Sequence, residues 1–147
     1  TRIENRYGGG VPDVHICAEA IPFWVELKIT KTNAINISAQ QIAWNYAYCR
    51  SGGVSFYLVH PLLSPHLYLF DGLHGRELVK SGLRGVDLGS GSGSGVKPIW
   101  SGDSESGILV GMFEAARSRV GVGVGSGREP KTESGWPGSG VYGSFKR

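Results

Sequence analysis

The chain has 147 residues, 40% of them hydrophobic and 18% charged, with a formal charge of +3. That length suits a single domain. No apolar stretch approaches the roughly 18 residues needed to span a bilayer, and two cysteines, Cys17 and Cys49, are too few for a disulfide framework or a four-cysteine zinc site. The positive balance permits an anionic partner without demanding one. Reduced thiols and the lack of a secretory pattern after Thr1 point to an intracellular, cytoplasmic setting.

Composition divides the chain. Two-thirds of the 24 glycines lie beyond Leu83. Residues 1–86 therefore read as the folded domain, 87–97 as a Gly/Ser linker built on GSGSGSG, and 98–147 as a low-complexity, largely disordered tail. Within that tail only a helical patch around Met112–Arg117 stands out, and its basic residues could touch phosphate.

In chain order, Gly8-Gly9-Gly10 reads as a flexible lead-in to a strand at Val11–Cys17. Phe23–Ile29 alternates with period two. Phe23, Val25, Leu27 and Ile29 share one face, while Trp24, Glu26 and Lys28 share the other. The short Ala18–Pro22 connection predicts that the two strands pair antiparallel. A helix is expected from Ser38, its N-cap, to about Ser51, where Gly52-Gly53 supplies the stop. Gln41 three residues after Ser38 completes a capping box, and Ala39, Ile42, Ala43, Tyr46 and Cys49 form the expected core stripe. Val54–Val59 is an apolar strand, Leu67–Phe70 an edge strand, and Arg76–Leu83 a closing helix. The order predicts a small α/β domain, a mixed sheet flanked by helices.

The residues that carry chemistry are GVPDVH at Gly10–His15 and VELK at Val25–Lys28. Phosphodiester hydrolysis needs a cation to polarise phosphoryl oxygens and lower the pKa of the attacking water. Mg²⁺ prefers one or two carboxylates together with waters and substrate phosphate. Asp13 and Glu26 on paired strands could supply two convergent carboxylates. Lys28, on the same strand side as Glu26, could orient the water or neutralise charge on the phosphorane. Leu27 between them is expected to turn its side chain into the core and leave its carbonyl as a further oxygen ligand. Alone, an ExK strand is ordinarily a solvated face and a PD dipeptide a turn; their combination with the following helix is what carries weight.

With these residues the sequence resembles the PD-(D/E)XK nuclease superfamily, in particular small VRR-NUC and phage Holliday-junction-resolvase-like members. The likeness rests on Glu4, Gly10, Pro12-Asp13, Glu26-Leu27-Lys28 and SAQQIAW at Ser38–Trp44, and covers Thr1 to about Phe70. It implies a restriction-endonuclease-like core. It also implies Asp13 and Glu26 as metal-binding carboxylates, Lys28 as the catalytic lysine, Glu4 completing the metal shell, and Gln41 as the helix glutamine reaching the active site. The capping box with Ser38 competes for Gln41, one side chain being expected to fill only one role; Gln40 is the weaker alternative.

The resulting expectation is an Mg²⁺- or Mn²⁺-dependent, structure-selective DNA endonuclease acting as a homodimer, with no organic cofactor and no membrane partner. Site-specific homing-type cleavage and a non-catalytic nucleic-acid-binding module are the alternatives. His15 lies on the Asp13 strand face, and Trp44 and Tyr48 could stack on bases, pack, or form an interface. Arg2, Arg6, Lys31 and Arg50 could contact phosphate.

Overall fold

The computed structural model describes residues 9–86, 95–103 and 105–121. Glu4, Arg2 and Arg6, most of the Gly/Ser linker and the chain beyond Gly121 lie outside the described residues. Strand β1 (Val14–Ala18) turns into β2 (Ile21–Thr30) through Glu19-Ala20. Both turn residues have positive φ, 48° and 63°. This is the handedness that two-residue antiparallel hairpins favour, and β1 and β2 pair with His15 opposite Trp24.

Helix α1 (Ala39–Arg50) crosses to β3 (Ser55–Pro61), which runs parallel to β2. Strand β4 (Leu67–Asp71) returns antiparallel, followed by a 3-10 turn at Gly72–His74 and helix α2 (Gly75–Ser81). Beyond the linker, β5 (Trp100–Gly102) adds antiparallel to β4, and helix α3 (Glu105–Val120) follows. The result is a five-stranded mixed sheet in the order β1-β2-β3-β4-β5.

Each face of the sheet has its own core. Ile35, Ile37, Tyr57, Val59, Phe70 and Leu78 pack together on the side of α1 and α2. Ile21, Phe23, Val25, Phe56 and Leu69 pack on the other side under Ile108, Met112 and Ala116 of α3. Arg119 of α3 pairs with Asp71 at the end of β4. Gly111 lets the helix backbone press on the Trp100 ring, where a Cβ would come within 2.6 Å.

Several expectations change. Residues 98–121 are not an irregular tail: they supply a strand and the helix that covers one sheet face. With β5 in place, Leu67–Asp71 is an interior strand rather than an edge. Leu27 is 45% exposed and Ile29 68% exposed, because the core on their face is built around Phe23 and Val25 and does not reach the end of β2. The α1 stripe holds only in part. Cys49 is buried and Ile42 packs against the core as expected, but Asn45 is buried too, whereas Ala39, Ala43 and Tyr46 are exposed. The strand face beneath α1 carries Glu26, Lys28 and the Tyr57 hydroxyl, so the helix meets it with polar Gln41 and Asn45.

Candidate active site

Asp13 and Glu26 are brought together by hairpin register. Val14 pairs with Val25, so Asp13 just before β1 falls beside Glu26. Two features fix Asp13. Pro12 before it is buried, and one carboxylate oxygen accepts the Leu27 backbone N–H at 2.8 Å. Upstream, Gly10 has φ +92° and lies against the first turn of α1; a Cβ there would fall 2.3 Å from the Gln40 carbonyl oxygen. Only glycine fits both the conformation and the contact, which makes Gly10 a fixed point rather than a flexible lead-in. Gly10→Ala is expected to lower stability by about 1–3 kcal/mol in urea unfolding. An unchanged midpoint would mean the segment does not press on the helix.

Glu26 is 1% exposed. Its Oε1 lies 3.0 Å from Lys28 Nζ and accepts Gln41 Nε2–H at 2.5 Å. Lys28 Nζ also donates to Gln41 Oε1 at 3.0 Å, which closes a three-membered polar ring. The other Glu26 oxygen, Oε2, is buried and has no hydrogen-bond partner among the described residues. Burial pushes the Glu26 carboxyl above its ordinary value of 4.5; the Lys28 hydrogen bond and charge pull it back, and nearby Asp13 adds to the rise. Tyr57, opposite Glu26 in the β2–β3 register, is itself raised, first by burial and then by the Glu26 charge.

Gln41 caps the helix and at the same time contacts Glu26 and Lys28, two engagements that the sequence set against each other. Its Oε1 accepts the Ser38 backbone N–H at 3.0 Å as well as Lys28, and its backbone N–H donates to Ser38 Oγ at 3.2 Å. The expectation that one side chain must choose was incorrect because an amide oxygen has two lone pairs and the amide nitrogen two further donors. Behind it, Asn45 Nδ2 donates to the Gln41 carbonyl at 2.8 Å, and the Tyr57 hydroxyl reaches the same oxygen at 3.5 Å.

The donor set suits a hard cation. A buried carboxylate oxygen without a partner beside a second carboxylate is the environment that an oxygen-preferring divalent ion relieves. Among the described residues no group of three His, Cys, Asp or Glu side chains gathers; the carboxylates that come together are the pair Asp13 and Glu26. The Leu27 amide belongs to Asp13, and its side chain lies on the Phe23–Val25 face but beyond the edge of the core it was expected to enter. His15 and Trp24 contact each other at 4.7 Å, and Trp24 meets Trp44, which stacks on Tyr48. This row was missed as a unit because its rings come from three elements. His60, His66 and His74 lie outside the ring of site contacts.

Comparison with protein-family models, curated proteins and solved structures gives no match. Among the described residues, no helix is long and apolar enough to cross a membrane.

Proposed function

We propose that the chain is a divalent-metal-dependent DNA endonuclease, on a restriction-endonuclease-like core, that prefers branched or partly unpaired DNA. The observation that carries this reading is the buried Glu26 side chain. One oxygen is held by Lys28 and Gln41, and the other is unpartnered beside Asp13. Asp13 and Glu26 would hold Mg²⁺ or Mn²⁺, with the Leu27 carbonyl and Glu4 as the remaining family-type ligands. Such an ion polarises the scissile phosphate and acidifies the attacking water.

The chain's own residues divide the remaining work. Lys28 uses two donors on Glu26 and Gln41 and keeps a third, which can hold the incoming water or an anionic oxygen of the phosphorane. Gln41 keeps the ammonium from drifting, because its own oxygen is fixed by the helix cap. The domain is small relative to a duplex, and a homodimer would place two such sites on paired strands.

Lys28→Ala is expected to reduce Mg²⁺-dependent cleavage of a four-way junction by about 10²–10³-fold. Thermal stabilisation by Mg²⁺ should persist, because both carboxylates remain; it should disappear in Asp13→Ala. A purified Lys28→Ala protein that still cuts at the wild-type rate would end the assignment. Equal cleavage of linear duplex would remove the preference for branched DNA.

A further inference from the structure

Three elements bring a residue to the carboxylate site, and each also carries an aromatic side chain one same-face step away. On β1, His15 lies two residues after Asp13, which just precedes the strand. On β2, Trp24 precedes Glu26 by two. On α1, Trp44 follows Gln41 by three and Tyr48 follows it by seven.

The rings touch in sequence. His15 and Trp24 are 4.7 Å apart, Trp24 and Trp44 meet edge to face at 5.5 Å, and Trp44 and Tyr48 stack at 4.8 Å with planes 17° apart. Gly53 backs the far end, where a Cβ would collide with the Tyr48 ring. All four side chains remain half-buried, so the row is held in place yet reaches solvent.

We infer that this row is a stacking platform for an unpaired base of the strand whose phosphate reaches Asp13 and Glu26. The inference rests on the nuclease reading and specifies its substrate as DNA with an unpaired nucleotide beside the scissile phosphate. Continuity with the site favours a base over an apolar protein partner. Trp24 shares a strand face with Glu26, His15 pairs with Trp24 across the hairpin, and Trp44 lies one helical turn from Gln41. The platform therefore adjoins charged groups suited to a phosphodiester. Rings fixed by one another lose little freedom when a base stacks on them, and stacking tolerates any base because every base has a π-face.

The test uses the full chain with Ca²⁺ in place of Mg²⁺, so that binding can be read without cleavage. Fluorescein-labelled flap DNA is compared with the same DNA made abasic at its unpaired positions, by anisotropy. Trp44→Ala is expected to weaken binding to intact flap DNA by about 5- to 150-fold, and Trp44→Phe to restore most of it. Removing the bases should cost the wild type a similar factor and cost Trp44→Ala nothing more. If Trp44→Ala loses affinity equally on intact and abasic DNA, the platform does not read bases and the inference fails. Binding loss that tracks conversion of a dimer to monomer in sedimentation overturns it in favour of a subunit interface. Base-dependent binding without Mg²⁺-dependent cleavage would remove the nuclease reading alone. Cleavage indifferent to Trp44 and to abasic sites would remove the platform alone.

Discussion

Glu26→Gln is expected to abolish detectable cleavage, by about 10²–10³-fold or more, while leaving the metal-free fold at least as stable as the wild type at neutral pH. The two outcomes separate because the carboxylate's charge, on the proposed reading, would serve chemistry, while its burial opposes folding. Glu26 is buried, and burial is the largest influence raising its pKa. A glutamine keeps an oxygen for the Lys28 and Gln41 donors. It also replaces the unpartnered Oε2 with an N–H group able to face Asp13, and satisfying such a buried atom stabilises by about 1 kcal/mol.

The pH dependence has a definite sign. A carboxyl whose folded pKa is raised binds its proton more tightly in the native state. The resulting stability is complete below the ordinary value of 4.5 and is lost as pH rises through the higher folded value. Urea midpoints measured across that window without divalent cations should fall more steeply for the wild type than for Glu26→Gln. A variant that is markedly less stable at neutral pH, or one that still cleaves, contradicts the assignment of Glu26.

A chain ended at Val86 is expected to lose cooperative folding. It would lack Ile108, Met112 and Ala116, leaving Phe23, Val25, Phe56 and Leu69 without their cover. It would also lack β5 on β4 and the Arg119 partner of Asp71. Met112→Ala in the full chain is the finer probe. Its side chain is buried in the same cluster, and truncation there should cost about 2–5 kcal/mol, a large share of the roughly 5–15 kcal/mol that holds a domain folded. Far-ultraviolet circular dichroism, dye binding and urea unfolding distinguish the outcomes. A cooperative, soluble 1–86 fragment would show that α3 is dispensable.

The elements carrying the site were legible because their signals are local. Period-two alternation set Trp24, Glu26 and Lys28 on one face, and Ser38 with Gln41 marked the helix start. Those features depend on neighbours a few residues apart. Less legible were features fixed by distant contacts. The stripe Ile108–Met112–Ala116 follows i, i+4, i+8 spacing, but Gly107 and Gly111 dilute it and exposed Leu109 and Val110 blur its edges. A sheet needs cover on both faces, and α1 and α2 turn out to supply it on only one; which face a helix takes is not written in its own residues. The inward face of α1 was misread for a related reason. Apolar periodicity favours Ala39, Ala43 and Tyr46, whereas the surface beneath is polar and selects Gln41 and Asn45. Polar layers around a charged site invert the ordinary pattern, and periodicity alone gives no warning of it.

The double engagement of Gln41 ties the site to the most easily frayed part of a helix. When the first turn of α1 opens, the Ser38 cap and the Lys28 restraint are released together. The fraction of molecules with an assembled ring is therefore set by a local opening equilibrium rather than by global unfolding. Heating below the melting transition should then take the Glu26–Lys28–Gln41 ring apart while the core stays packed, and exchange of the Gln41 amide hydrogen would report the proportion opened. A substitution that strengthens the cap would raise the working temperature of the site without touching a group that meets the substrate.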